Sequence, residues 1–305
     1  MLSLAAALLV VASAGFIVYQ NPPALPLLQD ISLMMLFLLL VTGQMAIIFH
    51  GLVFRQSLIP FGIKLNFREW YGTIHVALLW NYVLPFSGHG FRGHYLKKVY
   101  GLSYKRYAAS LMLMYPAHIA IFSFWGLVAL LVAYFESGYK NFILALIFFV
   151  LALSPCCVLL CAKMFEPFAQ HEKVKNFIRE GKRFVSDPGF ALGFFLHTTL
   201  MYLFSSLFTV FAFASLNYAL PTTAGFIIPS LANISALIKL APASLGSLDV
   251  AFIYVGQTFG LGLSEGVVVA ALTRLTHMVW FLPLGPLYSY ILGKTMNSAN
   301  SEVAA

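Results

Sequence analysis

Charge is what this 305-residue sequence has least of. Asp, Glu, Lys and Arg together make up 9% of it, against roughly 25% in ordinary soluble chains. So few charges cannot cover the surface of a water-soluble protein, and 61% of the residues are hydrophobic, with a mean hydropathy of +0.88. Cysteine is scarce too. Cys156, Cys157 and Cys161 fall in one apolar stretch, with no histidine spacing for a metal, and read as helix packing. No glycine loop followed by Lys-Ser or Lys-Thr is present to cradle a nucleotide, and no serine elbow to attack an acyl group. No segment between apolar runs is long enough for a soluble catalytic domain. These absences exclude a nucleotide motor and predict a chain that is not an enzyme and needs neither cofactor nor metal.

Long apolar runs fill the space that charge leaves. They cover Leu2–Tyr19, Ile31–Phe54, Tyr107–Phe135, Asn141–Ala162, Pro188–Ile238 and roughly Glu265–Leu292. Spans of this length and composition predict a polytopic membrane protein of the all-α class. Leu2–Tyr19 ends near an Ala12-Ser13-Ala14 tripeptide, but it lacks the basic residues that open a signal peptide and reads as a retained transmembrane helix. Pro188–Ile238 holds 51 residues without a charge. As one helix it would reach about 76 Å, far beyond a ~30 Å hydrocarbon core, so it must break, and Asn217–Pro221 is the place.

The net charge of +8 reads as a topology signal rather than as affinity for nucleic acid, because cytoplasmic loops collect Lys and Arg. Arg55, Lys64 and Arg68 follow the second span, and Lys163, Lys173, Lys175, Arg179, Lys182 and Arg183 follow the fourth. The outward connections hold almost no basic residues, which places the N-terminus in the cytoplasm. Trp70–Phe91 is uncharged and flanked by basic residues on both sides; a re-entrant hairpin keeps both flanks inside. Thr222–Leu263 is its counterpart, entering from outside. The result is about six full transmembrane helices plus two re-entrant helical hairpins, arranged as an inverted repeat with halves 1–135 and 141–292 of a single transmembrane domain spanning 1–305. Residues 163–187 alternate apolar and charged side chains and read as an amphipathic helix on the cytoplasmic leaflet.

Candidate functional residues gather at the two hairpin breaks. Pro85 and Gly90 mark the first, Pro242 and Gly246 the second, and each contains a Pro-x-Ser sequence ending in Ser87 or Ser244. Asn81 and Asn233 precede the breaks, where a side-chain amide can bond exposed backbone. Charges at membrane depth cost about 2.5–3.5 kcal/mol each on insertion scales and are functional by default. Lys239, Asp249 and Arg274 are such charges: two cations and one carboxylate, which suits a phosphate or else an internal ion pair. Arg92 follows the first break at the start of an expected helix over Phe91–Tyr100, where free N–H groups and a bidentate guanidinium favour a phosphate. His89 and His94 flank it and can add charge or carry a proton. His50, His75, His118, His197 and His277 lie in apolar runs and read as packing residues.

Asn81-Tyr82-Val83-Leu84-Pro85 followed by Gly90-Phe91-Arg92 resembles the Asn-x-x-Leu-Pro…Gly-Glu-x-x-Arg motif of the flippase-like lysylphosphatidylglycerol synthase transmembrane-region family. Pro242…Gly246-Ser247-Leu248-Asp249-Val250-Ala251-Phe252 is similar to that family's Pro-x-x-x-Gly-x-x-Glu-x-x-Phe motif, and Gly260–Ser264 and the Arg274 helix also fit. The spacing from Pro85 to Arg92 is one residue shorter than the family pattern. The family's Glu after Gly is missing, with His89 and Gly90 in its place, and Asp249 replaces its second Glu. The resemblance implies a lipid transporter of a bacterial inner membrane, moving an anionic phospholipid or a polyprenyl-phosphate-linked sugar between leaflets. It further implies no lipid aminoacylation by this chain, since no synthase domain is expected. The alternative from another class is a non-transporting membrane subunit that assists a glycosyltransferase or lipid-modifying enzyme as partner, alone or as an oligomer.

Overall fold

A computed structural model describes residues 31–84, 86–155, 187–218, 220–235 and 247–304. The expected spans over Leu2–Tyr19 and the rear of Asn141–Ala162, the amphipathic stretch 163–187 up to Ser186, and Lys239, Pro242, Ser244, Gly246 and Pro85 lie outside these residues. Within them every regular element is helical. Helix α1 covers Leu33–Ser57, α2 Phe67–Val83, α3 Ser87–Tyr100, α4 Tyr104–Ser137, α5 Phe142–Ala152, α6 Pro188–Ser215, α7 Thr222–Ser235, α8 Ser247–Thr258 and α9 Leu263–Ala304. Four described helices, α1, α4, α6 and α9, are long and apolar enough to cross a membrane. The protein is a multi-pass membrane protein.

Local chemistry sets the helix ends. Ser32, Asn66, Ser103, Asn141 and Asp187 are N-caps whose side chains accept a first-turn N–H. Asn66 and Glu69 form a reciprocal capping box. The uncharged 51-residue run breaks where expected: α6 stops at Ser215, Asn217 takes a left-handed φ of 58°, and α7 starts at Thr222. The first break is tighter than the sequence predicts. The expected turn over Pro85–Gly90 shrinks to the residues around Phe86, which itself adopts φ +63°, and helix α3 already runs from Ser87.

The order long, short, short, long occurs twice, in α1–α4 and in α6–α9. α1 packs against α6, α2 against α9 and α7 against α4, while each short helix also packs on its short neighbour, α2 on α3 and α7 on α8. The largest core cluster joins Ala129 and Ala133 of α4, Phe148 of α5, Ala212 and Phe213 of α6, Ile227 and Ile228 of α7 and Val269 of α9. A second lies under the first hairpin, with Phe54, Leu58, Trp70, Leu96 and Tyr107. Large apolar side chains such as Leu33, Phe37, Phe142, Ile143 and Phe149 point outward. A lipid solvent makes that arrangement stable, because hydrocarbon leaves them in an apolar medium.

Candidate functional site

The first hairpin break is held by its own polar side chains. Ser87 Oγ lies 2.6 Å from the carbonyl oxygens of both Trp80 and Leu84. The Gly88 N–H donates to Asn81 Oδ1 at 2.9 Å. The N–H groups of His89 and Gly90 donate to the Phe86 carbonyl at 3.0 and 3.3 Å. Gly88 is needed for contact rather than for a turn: a Cβ there would fall 2.3 Å from the Ala77 carbonyl oxygen. The first-turn donors of α3 are therefore already occupied, and Arg92 sits in the interior of the helix, not at its start. The expected phosphate cradle of free backbone N–H groups beside Arg92 is absent. Asn81 and Ser87 secure the backbone here.

Arg92 itself is the anomaly. It is 3% exposed. Its guanidinium carbon lies 4.5 Å from the centre of the Phe54 ring, and its Nε is buried without a hydrogen-bond partner. Among the described residues no carboxylate forms an ion pair with it. The electrostatic neighbours on α4 are Tyr107 and Tyr115. His89, one turn before Arg92, links these two phenols: its Nε2 is 2.7 Å from Tyr115 Oη and its Nδ1 3.5 Å from Tyr107 Oη. Leaving a buried charge uncompensated costs roughly 3–5 kcal/mol, and a cation–π contact returns only about 0.5–2 kcal/mol. The surroundings do not balance the charge, and an anion would.

Helices α8 and α9 carry the opposite arrangement. Arg274 of α9, 4% exposed, donates from Nε and Nη2 to Asp249 Oδ1 of α8 at 3.1 and 2.8 Å. This cation has an internal partner. It lines a cavity of about 200 Å³ together with Tyr82 of α2, Asn233 of α7 and His277, Thr209 and Thr273. The Asn233 Nδ2 is buried without a partner among the described residues. Arg92 does not line this cavity, so the structure does not bring Arg92 and Arg274 to one chamber. His94 stands apart from both: it is exposed, with Nδ1 3.2 Å from Tyr104 Oη. Lys97 and Lys98 are exposed on the same side of α3. Of the packing histidines, His75 bonds the Tyr71 carbonyl through Nδ1 at 2.8 Å, and the His277 ring lies tilted against Phe208, centroids 4.6 Å apart.

Several residues here escape a reading of the sequence. Phe54, Tyr107 and Tyr115 build the surroundings of Arg92 from two other helices. Tyr107 and Tyr115 are spaced by eight residues, about two turns, which is the one signal that they share a face. Glu69 is 6% exposed and accepts from Tyr95 Oη at 2.8 Å, Tyr100 Oη at 2.7 Å and the Asn66 N–H at 2.8 Å. It ties the start of α2 to the far end of α3. The Asn-x-x-Glu spacing signals its cap but not its two phenol partners.

The profile of the lysylphosphatidylglycerol synthase TM region matches residues 2–285. The chain belongs to this family. Its members share a membrane domain of flippase-like proteins, and the match spans the described helices from α1 into α9. The Asn81–Arg92 and Asp249–Phe252 segments both fall within the matched residues. No individual curated protein matches the chain.

Proposed function

We propose that this chain moves an anionic phospholipid or a polyprenyl-phosphate-linked sugar between the leaflets of a bacterial inner membrane, without catalysing a reaction. The observation that carries this reading is the buried Arg92 guanidinium, which has no carboxylate partner among the described residues and stands beside a hairpin break in a flippase-like membrane domain. A lipid phosphate offers what it lacks: negative charge and acceptors for a planar fork. The pair Arg274–Asp249 supports a division of labour. Arg92 receives the phosphate, while Asp249 keeps Arg274 neutralised until the substrate's anion takes its place.

The doubled order of long, short, short and long helices supports two inverted halves, with the short pairs α2–α3 and α7–α8 as re-entrant hairpins. At ~1.5 Å per residue α2 and α3 reach about 26 and 21 Å, each short of a ~30 Å core. Exchanging the halves maps the α2–α9 contact onto α7–α4, as a twofold relation requires. The distribution of basic residues supports a cytoplasmic N-terminus.

The test is a pair of assays on purified protein in proteoliposomes: binding of a fluorescent phosphatidylglycerol, and its transfer between leaflets. Arg92→Gln should lose both while remaining folded. A folded Arg92→Gln protein with unchanged binding and transfer would refute the reading and favour a membrane subunit that assists another enzyme.

A further inference from the structure

The largest cavity among the described pockets lies away from both arginines. It holds about 430 Å³ between α4, α6 and α7 and is walled by Trp125, Ala129 and Val132 of α4, Leu203 of α6 and Phe226 of α7, with Glu136 at one end. Its shape does not come from loose packing. A side-chain hydrogen bond joins each pair of its three helices: Trp125 Nε1 donates to Thr199 Oγ1 at 3.1 Å, Tyr202 Oη to the Phe226 carbonyl at 2.7 Å, and Ser230 Oγ to the Phe122 carbonyl at 2.7 Å. Such bonds hold helices together where lipid supplies no hydrophobic drive. They also use up the indole and phenol groups along the wall, so the surface left facing the cavity is apolar. Val132 and Leu203 are 39% and 38% exposed, so the groove opens sideways to the bilayer.

The groove has a polar end and an apolar end. Glu136 lies in the last turn of α4, eleven residues beyond Trp125, a distance of about 16 Å along the axis and roughly half of a hydrocarbon core. The Glu136 side chain is exposed and forms no ion pair among the described residues. The nearest lysine in sequence, Lys140, instead sits 5.7 Å from the Tyr134 ring. Exposed Thr222 stands at the same end, at the first position of α7. A long apolar slot reaching mid-membrane, with an unpaired carboxylate at its mouth, has the form of one acyl chain beneath an amine.

We infer that this groove is a second lipid site, which seats one acyl chain of a phospholipid with an amine-bearing headgroup, of the phosphatidylethanolamine class, and places the ammonium against Glu136. The inference uses only the crossing of the bilayer by α4 and α6, not the Arg92 reading. With the orientation proposed above, the site faces the outer leaflet. Its charge preference is the reverse of that at Arg92, so one protein would hold two lipids of different headgroup at separate places.

Trp125 reports on the groove directly. The full chain is placed in phosphatidylcholine nanodiscs, and phosphatidylethanolamine or phosphatidylglycerol with brominated acyl chains is added, bromine being a contact quencher of indole. The Trp125 signal is the difference between wild type and Trp125→Phe. Half-maximal quenching by the brominated phosphatidylethanolamine should fall at a mole fraction several-fold below that found for Ala129→Phe, which fills the slot. Glu136→Gln should bring phosphatidylethanolamine to the level of phosphatidylglycerol, a change of about two- to fivefold for one exposed pair. Val132→Phe narrows the mouth at a lipid-facing position and should give the same loss if Ala129→Phe does not fold. Arg92→Gln should leave the quenching unchanged. Equal quenching of wild type, Ala129→Phe and Val132→Phe would show only annular lipid, and quenching that depends on oligomer formation rather than on added lipid would show a second copy in the groove; either overturns the inference. A preference that survives Glu136→Gln overturns the headgroup assignment.

Discussion

Arg274 holds Asp249 through two nitrogens on one carboxylate oxygen, Nε at 3.1 Å and Nη2 at 2.8 Å. Arg92, as deeply buried, has an aromatic ring where Arg274 has a carboxylate. Among the described residues, one of these two cations is thus neutralised by a carboxylate and the other is not. Under the transport proposed above, that inequality would let the two regions treat a lipid phosphate differently. Asp249 replaces the glutamate of the family pattern, and the shorter side chain still reaches Arg274.

The first prediction separates binding from folding at Arg92. Arg92→Gln should weaken phosphatidylglycerol binding by roughly ten- to a hundredfold, the equivalent of one charge-assisted hydrogen bond of about 1.5–3 kcal/mol. Its melting temperature should stay level or rise, since the change removes a buried charge that no described carboxylate balances. Arg92→Lys keeps the charge but loses the fork, and should recover only part of the binding. A fall in melting temperature with each variant would make Arg92 a structural residue.

Asp249→Asn should behave in the opposite way. It leaves Arg274 facing a neutral group at a buried position, a loss of about 3–5 kcal/mol for breaking one side of such a pair. Adding Arg274→Gln should restore much of the stability, so a double-mutant cycle followed by thermal unfolding reads the coupling. In the transport assay the single variant should bind lipid at least as well as wild type yet transfer it more slowly, because release depends on the cation regaining its partner. Additive destabilisation in the cycle would contradict the pair's role.

The broad plan was legible in the residues. Scarce charge and long apolar runs require a helical membrane protein, and the uncharged run over Pro188–Ile238 had to break near Pro221. The arrangement around the first break was not. Pro85, Gly88 and Gly90 read as a long turn, yet Gly88 and Gly90 are helical. Phe86 accepts a left-handed φ, which lets the chain reverse within very few residues, and Gly88 is required by the close approach of the Ala77 carbonyl. Sequence distance hides such a contact. It also hides the phenols near Arg92, since Tyr107 and Tyr115 belong to a helix whose visible signal is its apolarity. Lys239 and the second Pro-x-Ser lie outside the described residues.

Glu69 gives a third prediction. Its carboxylate serves the Asn66 cap and two phenols at once, the buried Tyr95 and the half-buried Tyr100. Glu69→Ala should cost about 2–4 kcal/mol, combining one lost cap of ~1 kcal/mol with hydroxyl groups left unpaired at about 1–3 kcal/mol. Tyr95→Phe and Tyr100→Phe should each cost roughly 1 kcal/mol, and little further when added to Glu69→Ala. Thermal unfolding of the set in one detergent checks this, and a Glu69→Ala protein as stable as wild type would leave the network without energetic weight.

The last prediction concerns which side each hairpin enters from. Ser57 and Gly88 are poor reporters, because both are buried and a cysteine there would resist labelling from either side. Exposed positions must carry the test. Lys64 precedes α2 and Lys105 follows α3, and both are exposed. If α2 and α3 form a re-entrant hairpin, Lys64→Cys and Lys105→Cys lie on the same side, and both should be protected from an impermeant maleimide added to intact cells. If α2 and α3 together make one crossing, the two positions must differ, whatever the overall orientation. Thr222 and Ser264 bracket the second hairpin in the same way and are also exposed; Thr222→Cys and Ser264→Cys should both be labelled, as should Lys140→Cys. The pairwise comparison therefore tests the hairpins, and the sign of the result tests the placement of basic residues in the cytoplasm. Equal labels within each pair but reversed sides would invert the protein and leave the repeat standing. Unequal labels within either pair would remove that hairpin, and with it the proposed twofold relation between the halves.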